Sequence, residues 1–83
     1  MLIFLTLQHG ALRFGELRRE IGEITQRVLT DNLRKLEHEG YLTRTVHAGP
    51  PLAVEYELTA KGHSFLKVLL PLVGWAKENT PQG

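Results

Sequence analysis

At 83 residues the chain has room for one domain, and a domain of that size buries only about 60–65% of its unfolded-chain surface. A hydrophobic share of 42% against 23% charged residues marks it as globular rather than disordered, while a net charge of +1 does not by itself announce a nucleic-acid binder. Cysteine is absent, which excludes disulfides, thiolate metal sites and thiol switching within these residues, and the longest apolar runs are too short and too interrupted to cross a membrane.

Residues 1–8 are apolar almost all round and predict about two turns of buried helix without a cap. They lack the basic lead and cleavage site of a signal peptide, so a cytoplasmic chain is expected. His9, Gly10 and Ala11 break this segment. From Arg13 onward Phe14, Leu17 and Ile21 recur at helical spacing, with Glu16, Arg18, Arg19 and Glu20 between them. Gly22 interrupts, and Thr25 is a good N-cap for a next helix running to about Glu39 and stopping at Gly40. The period then changes. Residues 41–46 are rich in β-branched and aromatic side chains, residues 47–53 are turn-rich, and residues 54–58 alternate, so a β-hairpin is predicted. Thr59 caps a last helix from about Ala60 to Lys77, with Pro71 inside it, where a hydrogen bond is lost and a kink is expected. A single domain over residues 1–78 with a flexible tail over 79–83 follows. The expected fold class is α+β, mostly helical.

Two short helices joined by a tight glycine-containing turn make a helix-turn-helix, whose second helix enters the major groove. At 100° per residue Leu29, Leu33 and Leu36 share one face of residues 25–39, while Arg27, Asp31, Arg34 and His38 share the opposite one beside Thr30. Arg27 and Arg34 suit guanine or phosphate, Thr30 a base edge or thymine methyl, and Gln26 adenine. Thr25 and the free amides behind it suit a phosphate at the helix N-terminus. Asp31 repels phosphate unless it accepts from cytosine or orients Arg27 or Lys35. A face of mixed charge is ordinarily just solvated, but a hairpin directly after the helix-turn-helix is the winged-helix order. Arg44 and His47 then fall near the wing, open between DNA contact and, respectively, a cross-strand surface charge and a plain turn residue.

These residues also carry a family resemblance. The segment Gly10-Ala11-Leu12-Arg13-Phe14-Gly15-Glu16-Leu17 resembles the start of the helix-turn-helix in HxlR-type regulators. Residues 24–37, with Leu29-Thr30 and Leu33-Arg34-Lys35-Leu36-Glu37, resemble that family's recognition helix. Gly40-Tyr41-Leu42-Thr43-Arg44 and Val54-Glu55-Tyr56-Glu57-Leu58-Thr59 resemble its wing strands, and Lys61, Gly62 and Trp75 its final helix. The resemblance implies a dimeric winged-helix regulator of bacterial or archaeal type that binds roughly palindromic double-stranded DNA. It implies contacts from Thr25, Gln26, Arg27, Thr30, Arg34 and the wing around Arg44. The pattern departs from the family in three places: the chain starts inside what is normally its second helical stretch, Ala53 stands where a basic wing residue is usual, and Pro71 interrupts the last helix.

Phe65, Leu66, Val68, Leu69, Leu70, Leu72, Val73 and Trp75 cover more than one face of the last helix, more than a domain this small can bury. A homodimer interface is therefore expected there through Phe65, Leu69, Leu72, Val73 and Trp75, although some of them must close the domain's own core. No enzyme, metal site or cofactor is expected: His9, His38, His47 and His63 sit on four separate segments, and no carboxylate pair or nucleophile–base arrangement stands out. No residue identifies a small-molecule effector. The alternative reading is a winged helix used for protein contact, and a related winged-helix family such as MarR or PadR would alter dimer geometry more than function.

Overall fold

The computed structural model describes residues 2–79. The elements follow in the order α1 (Leu2–Thr6), β1 (Leu12–Arg13), α2 (Phe14–Ile21), α3 (Gln26–His38), β2 (Leu42–His47), β3 (Ala53–Leu58) and α4 (Ala60–Asn79). This is the winged helix that the periodicities predict, with one addition. Leu12 and Arg13 pair antiparallel with Tyr56 and Glu55, so the hairpin is extended to a three-stranded sheet in the order β1-β3-β2. A two-residue strand leaves no alternation to read, and only the neighbouring β3 edge brings it into being.

The turns are set by backbone chemistry. Gly22 closes α2 at a φ of 92°, donating its amide to the Arg18 carbonyl, and Gly40 follows α3 at 84°. Side chains other than glycine rarely adopt such values. Thr25 caps α3 as expected, its hydroxyl accepting from the Val28 amide at 3.2 Å. Glu16 accepts from the Arg13 amide at 2.9 Å and so fixes the first turn of α2. Thr59 likewise caps α4 by accepting from the Gly62 amide at 3.1 Å, and donates its hydroxyl to the Gly40 carbonyl at 2.6 Å.

The core is one cluster in which Leu7, Leu17, Leu29, Leu33 and Leu42 are almost fully sealed. Phe14, Ile21 and Leu36 pack against it half-buried, as their helical spacing predicts. Phe4, Tyr41 and Phe65 make a second aromatic layer, with ring centroids 4.8 Å apart for Phe4–Phe65 and 5.6 Å for Phe4–Tyr41. Buried Gly62 brings α4 against the Tyr41 carbonyl so closely that a Cβ there would collide with it. Lys61 completes this junction, donating to the Glu39 carbonyl at 2.8 Å while its ammonium sits 4.4 Å from the Tyr41 ring centroid.

Helix α4 continues through Pro71 to Asn79, so Asn79 is helical rather than part of the expected tail; residues 80–83 and Met1 lie outside the described residues. One expectation for this helix is corrected. Leu69 is 3% exposed and belongs to the chain's own core, so it has no surface to offer a second copy. Val73 is half-buried against the same core. Phe65, Leu72 and Trp75 remain exposed, joined by Val68 and Leu70 of the same apolar set.

Candidate nucleic-acid interface

Helix α3 divides along its length into two chemistries. Leu29 and Leu33 are fully buried, while Gln26, Arg27, Asp31, Arg34, Lys35 and His38 are exposed. Because the seam on α2 and the sheet fixes the helix rotationally, the polar face has a defined direction rather than a mobile one. Arg27, Asp31 and Arg34 form no ion pair among the described residues, so of the two roles open to Asp31 the orienting of Arg27 or Lys35 is not seen. Their charges face solvent.

The sheet contributes the second wall. Leu42, Arg44 and Val46 on β2 stand opposite Leu58, Tyr56 and Val54 on β3, and the period of two places all six on one face. Buried Leu42, Tyr56 and Leu58 show that this is the inward face, turned toward α3. Arg44 is on it but beyond the sealed core, where its Nε lies 3.5 Å from Glu37 Oε1 on α3. Thr30, Arg34 and Glu37 from the helix and Arg44 and Tyr56 from the sheet line a common cleft of about 180 Å³. A neighbouring groove of about 450 Å³ runs between Gln26 and Thr30 on one side and Pro51, Leu52 and Ala53 of the wing on the other.

The predicted contact residues therefore separate into groups. Thr30, Arg34 and Arg44 converge on the cleft, Gln26 lines the adjoining groove, and Arg27 stands on the outer face of the same helix. Thr25 spends its hydroxyl on capping. His47 is the outlier: it lies on the opposite sheet face from Arg44, its Nε2 3.4 Å from Glu55 Oε1. Tyr56 and Glu37 are the cleft residues that sequence reasoning missed. The signal was the strand register, since Tyr56 is the direct partner of Arg44. Burial raises the Tyr56 phenol above its ordinary value and Glu37 adds to the rise, while Arg44 and Arg34 oppose it. Among the described residues no group of three or more metal-binding side chains is clustered, and no helix is long and apolar enough to cross a membrane.

The chain matches known proteins along its whole length. A family model described as HxlR-like helix-turn-helix matches residues 1–83. An uncharacterized HTH-type transcriptional regulator of Methanothermobacter thermautotrophicus is 47% identical over 76 residues, which are 92% of this chain and 58% of that protein. YtfH of Escherichia coli strain K12, also an uncharacterized HTH-type transcriptional regulator, is 35% identical over 82 residues, covering 99% of this chain and 65% of its own length. The chain thus spans about three fifths of the length of these relatives. The solved structure of ytfH from Salmonella typhimurium superposes with a TM-score of 0.89 at 36% identity, over 98% of this chain and 72% of that one.

Proposed function

The chain belongs to the HxlR-like helix-turn-helix family, and from that premise we propose that it is a sequence-specific DNA-binding transcriptional regulator acting as a homodimer on a pseudo-palindromic operator. The observation that carries this reading is the outer face of α3. Gln26, Arg27 and Arg34 are held exposed on a helix whose other side is sealed into the core, directly beside a β-wing. A rotationally fixed helix with unpaired guanidiniums is preorganised for base edges in the major groove. Thr30 and Arg44 sit where the helix meets the wing, and the relatives' description as HTH-type transcriptional regulators supports the same reading.

The dimer rests on α4. Val68 is 70%, Leu72 56% and Trp75 63% exposed, an apolar stripe at helical spacing that one copy does not cover. Two copies related by a twofold axis would bury it and set their recognition helices about 34–36 Å apart, one turn of DNA. DNA as partner and the lack of a membrane-crossing helix among the described residues support a place in the cytoplasm.

The deciding experiment selects bound fragments from a genomic DNA pool with the native chain and with an Arg27→Ala/Arg34→Ala variant. Enrichment of a twofold-symmetric site by the native chain alone is expected. A folded native chain that enriches nothing overturns the proposal. The second reading, a protein-contact module, is favoured by Asp31 on the exposed helix face and by Ala53 in the wing. Salt separates the two, because a chain making several phosphate contacts must bind DNA less tightly as salt rises.

A further inference from the structure

We infer that the cleft between α3 and the sheet is a phosphate cradle, in which Arg34, Arg44 and the hydroxyl of Tyr56 grip the one DNA strand that runs between the grooves read by the helix and by the wing. The inference rests on the DNA-binding reading and adds to it a site and a residue, Tyr56, that the helix-turn-helix does not require.

The first argument is topological. The major and minor grooves of B-DNA are separated by a single sugar–phosphate strand. A protein with its helix in one groove and its wing in the next must let that strand pass between helix and wing. The cleft lined by Thr30, Arg34, Glu37, Arg44 and Tyr56 occupies that position.

The second argument is chemical. Tyr56 is 8% exposed, yet its hydroxyl has no hydrogen-bond partner among the described residues and is not sealed from the cleft. A phenol held in a core by its ring, with its polar end unpartnered and bordered by two guanidiniums, is a hydrogen-bond donor awaiting an acceptor. Burial and Glu37 keep its proton on, so it donates rather than repels. The charged groups facing it are Arg34, Arg44 and Glu37, which sum to one positive charge and match one phosphodiester.

Glu37 is then a positioning residue. It holds Arg44 at 3.5 Å through Nε, and both side chains are more than a third exposed, so solvent screens the pair and Arg44 can exchange Glu37 for phosphate at little cost. A carboxylate there also keeps the two arginines from repelling each other in the free protein.

The test uses the chain on the DNA fragment that genomic selection returns, with phosphates replaced one at a time by uncharged methylphosphonates. For the native chain, one phosphate per half-site should cost on the order of tenfold in affinity when neutralised. Tyr56→Phe, which removes a single oxygen and leaves the ring packed, should lose several-fold on intact DNA and then lose less than the native chain when that phosphate is neutralised, with Arg34 and Arg44 still sensing its charge. Arg44→Gln, a change at an exposed position, should respond at the same phosphate and lower the salt slope by about one. Native-like affinity of Tyr56→Phe, or losses that simply add to those of the methylphosphonate, overturns the cradle. If Arg27→Ala and Arg34→Ala still abolish site preference in that case, the DNA-binding reading survives; if the native chain selects no DNA, both fall.

Discussion

Helices α3 and α4 bury comparable apolar seams but leave opposite residues outside. On α3 the seam of Leu29 and Leu33 is sealed to within 1% of full burial, and the outward residues are polar apart from Val28. On α4 Leu66 and Leu69 are buried as deeply as a core requires, yet Val68, Leu72 and Trp75 stand in water. Leu29, Leu33 and Leu36 of α3 are taken up by this chain's own fold and Val28 is left 48% exposed, whereas α4 leaves Val68, Leu70, Leu72 and Trp75 outside. A polar outward face suits a highly charged partner such as DNA, and an apolar one suits a second protein surface.

Cutting into the shared core should give the largest effect. Leu33→Ala should destabilise the chain by about 2–5 kcal/mol, because Leu33 is 1% exposed within the core cluster and its removal leaves a cavity there. Urea denaturation checks this, and a loss under 1 kcal/mol would mean that α3 is not anchored as described. Gly62→Ala should cost about 1–3 kcal/mol, since the new methyl meets a backbone carbonyl that cannot turn aside as a side chain can. Thermal unfolding would show it, and a neutral result would mean that α4 can slide off Tyr41.

The outer face of α3 should respond in the other currency. Arg34→Ala should leave unfolding unchanged but weaken DNA binding by about 1–3 kcal/mol; a loss shared by every sequence is what the cradle requires, and a loss confined to the selected site would assign Arg34 to a base instead. Thr25→Ala lies between the two cases, costing about 1 kcal/mol of stability through its lost cap. The exposed stripe of α4 should likewise give little change in stability. Trp75→Ala should alter the monomer's own stability by less than about 0.5 kcal/mol, yet shift sedimentation toward monomer. An unchanged sedimentation profile would remove the contrast between the two helices.

Much of the fold was legible because the governing signals are local. The spacing of Phe14, Leu17 and Ile21, the cap at Thr25, the stop at Gly40 and the alternation of residues 54–58 each act within a few neighbours. The polar face of α3 was legible for the same reason, as a single helix's periodicity decides which side chains share a side. The two-residue β1 was not, since it exists only as an edge partner of β3. Leu69 was placed on the wrong surface because α4 is apolar nearly all round, and such a helix carries no mark of which stripe its own domain will take. His47 was grouped with Arg44, although they stand three residues apart in one strand and so on opposite faces.

The sequence by itself determined the order of elements, the polar face of α3 and an apolar surplus on α4, all of which follow from periodicity and composition along one stretch of chain. Only the tertiary structure decided that Arg34, Arg44, Glu37 and Tyr56 meet around one cleft and that Gly62 must lack a side chain. Those facts depend on the register of two strands and on how closely α4 approaches Tyr41, and distances between residues far apart in the chain are set by packing, not by any local pattern.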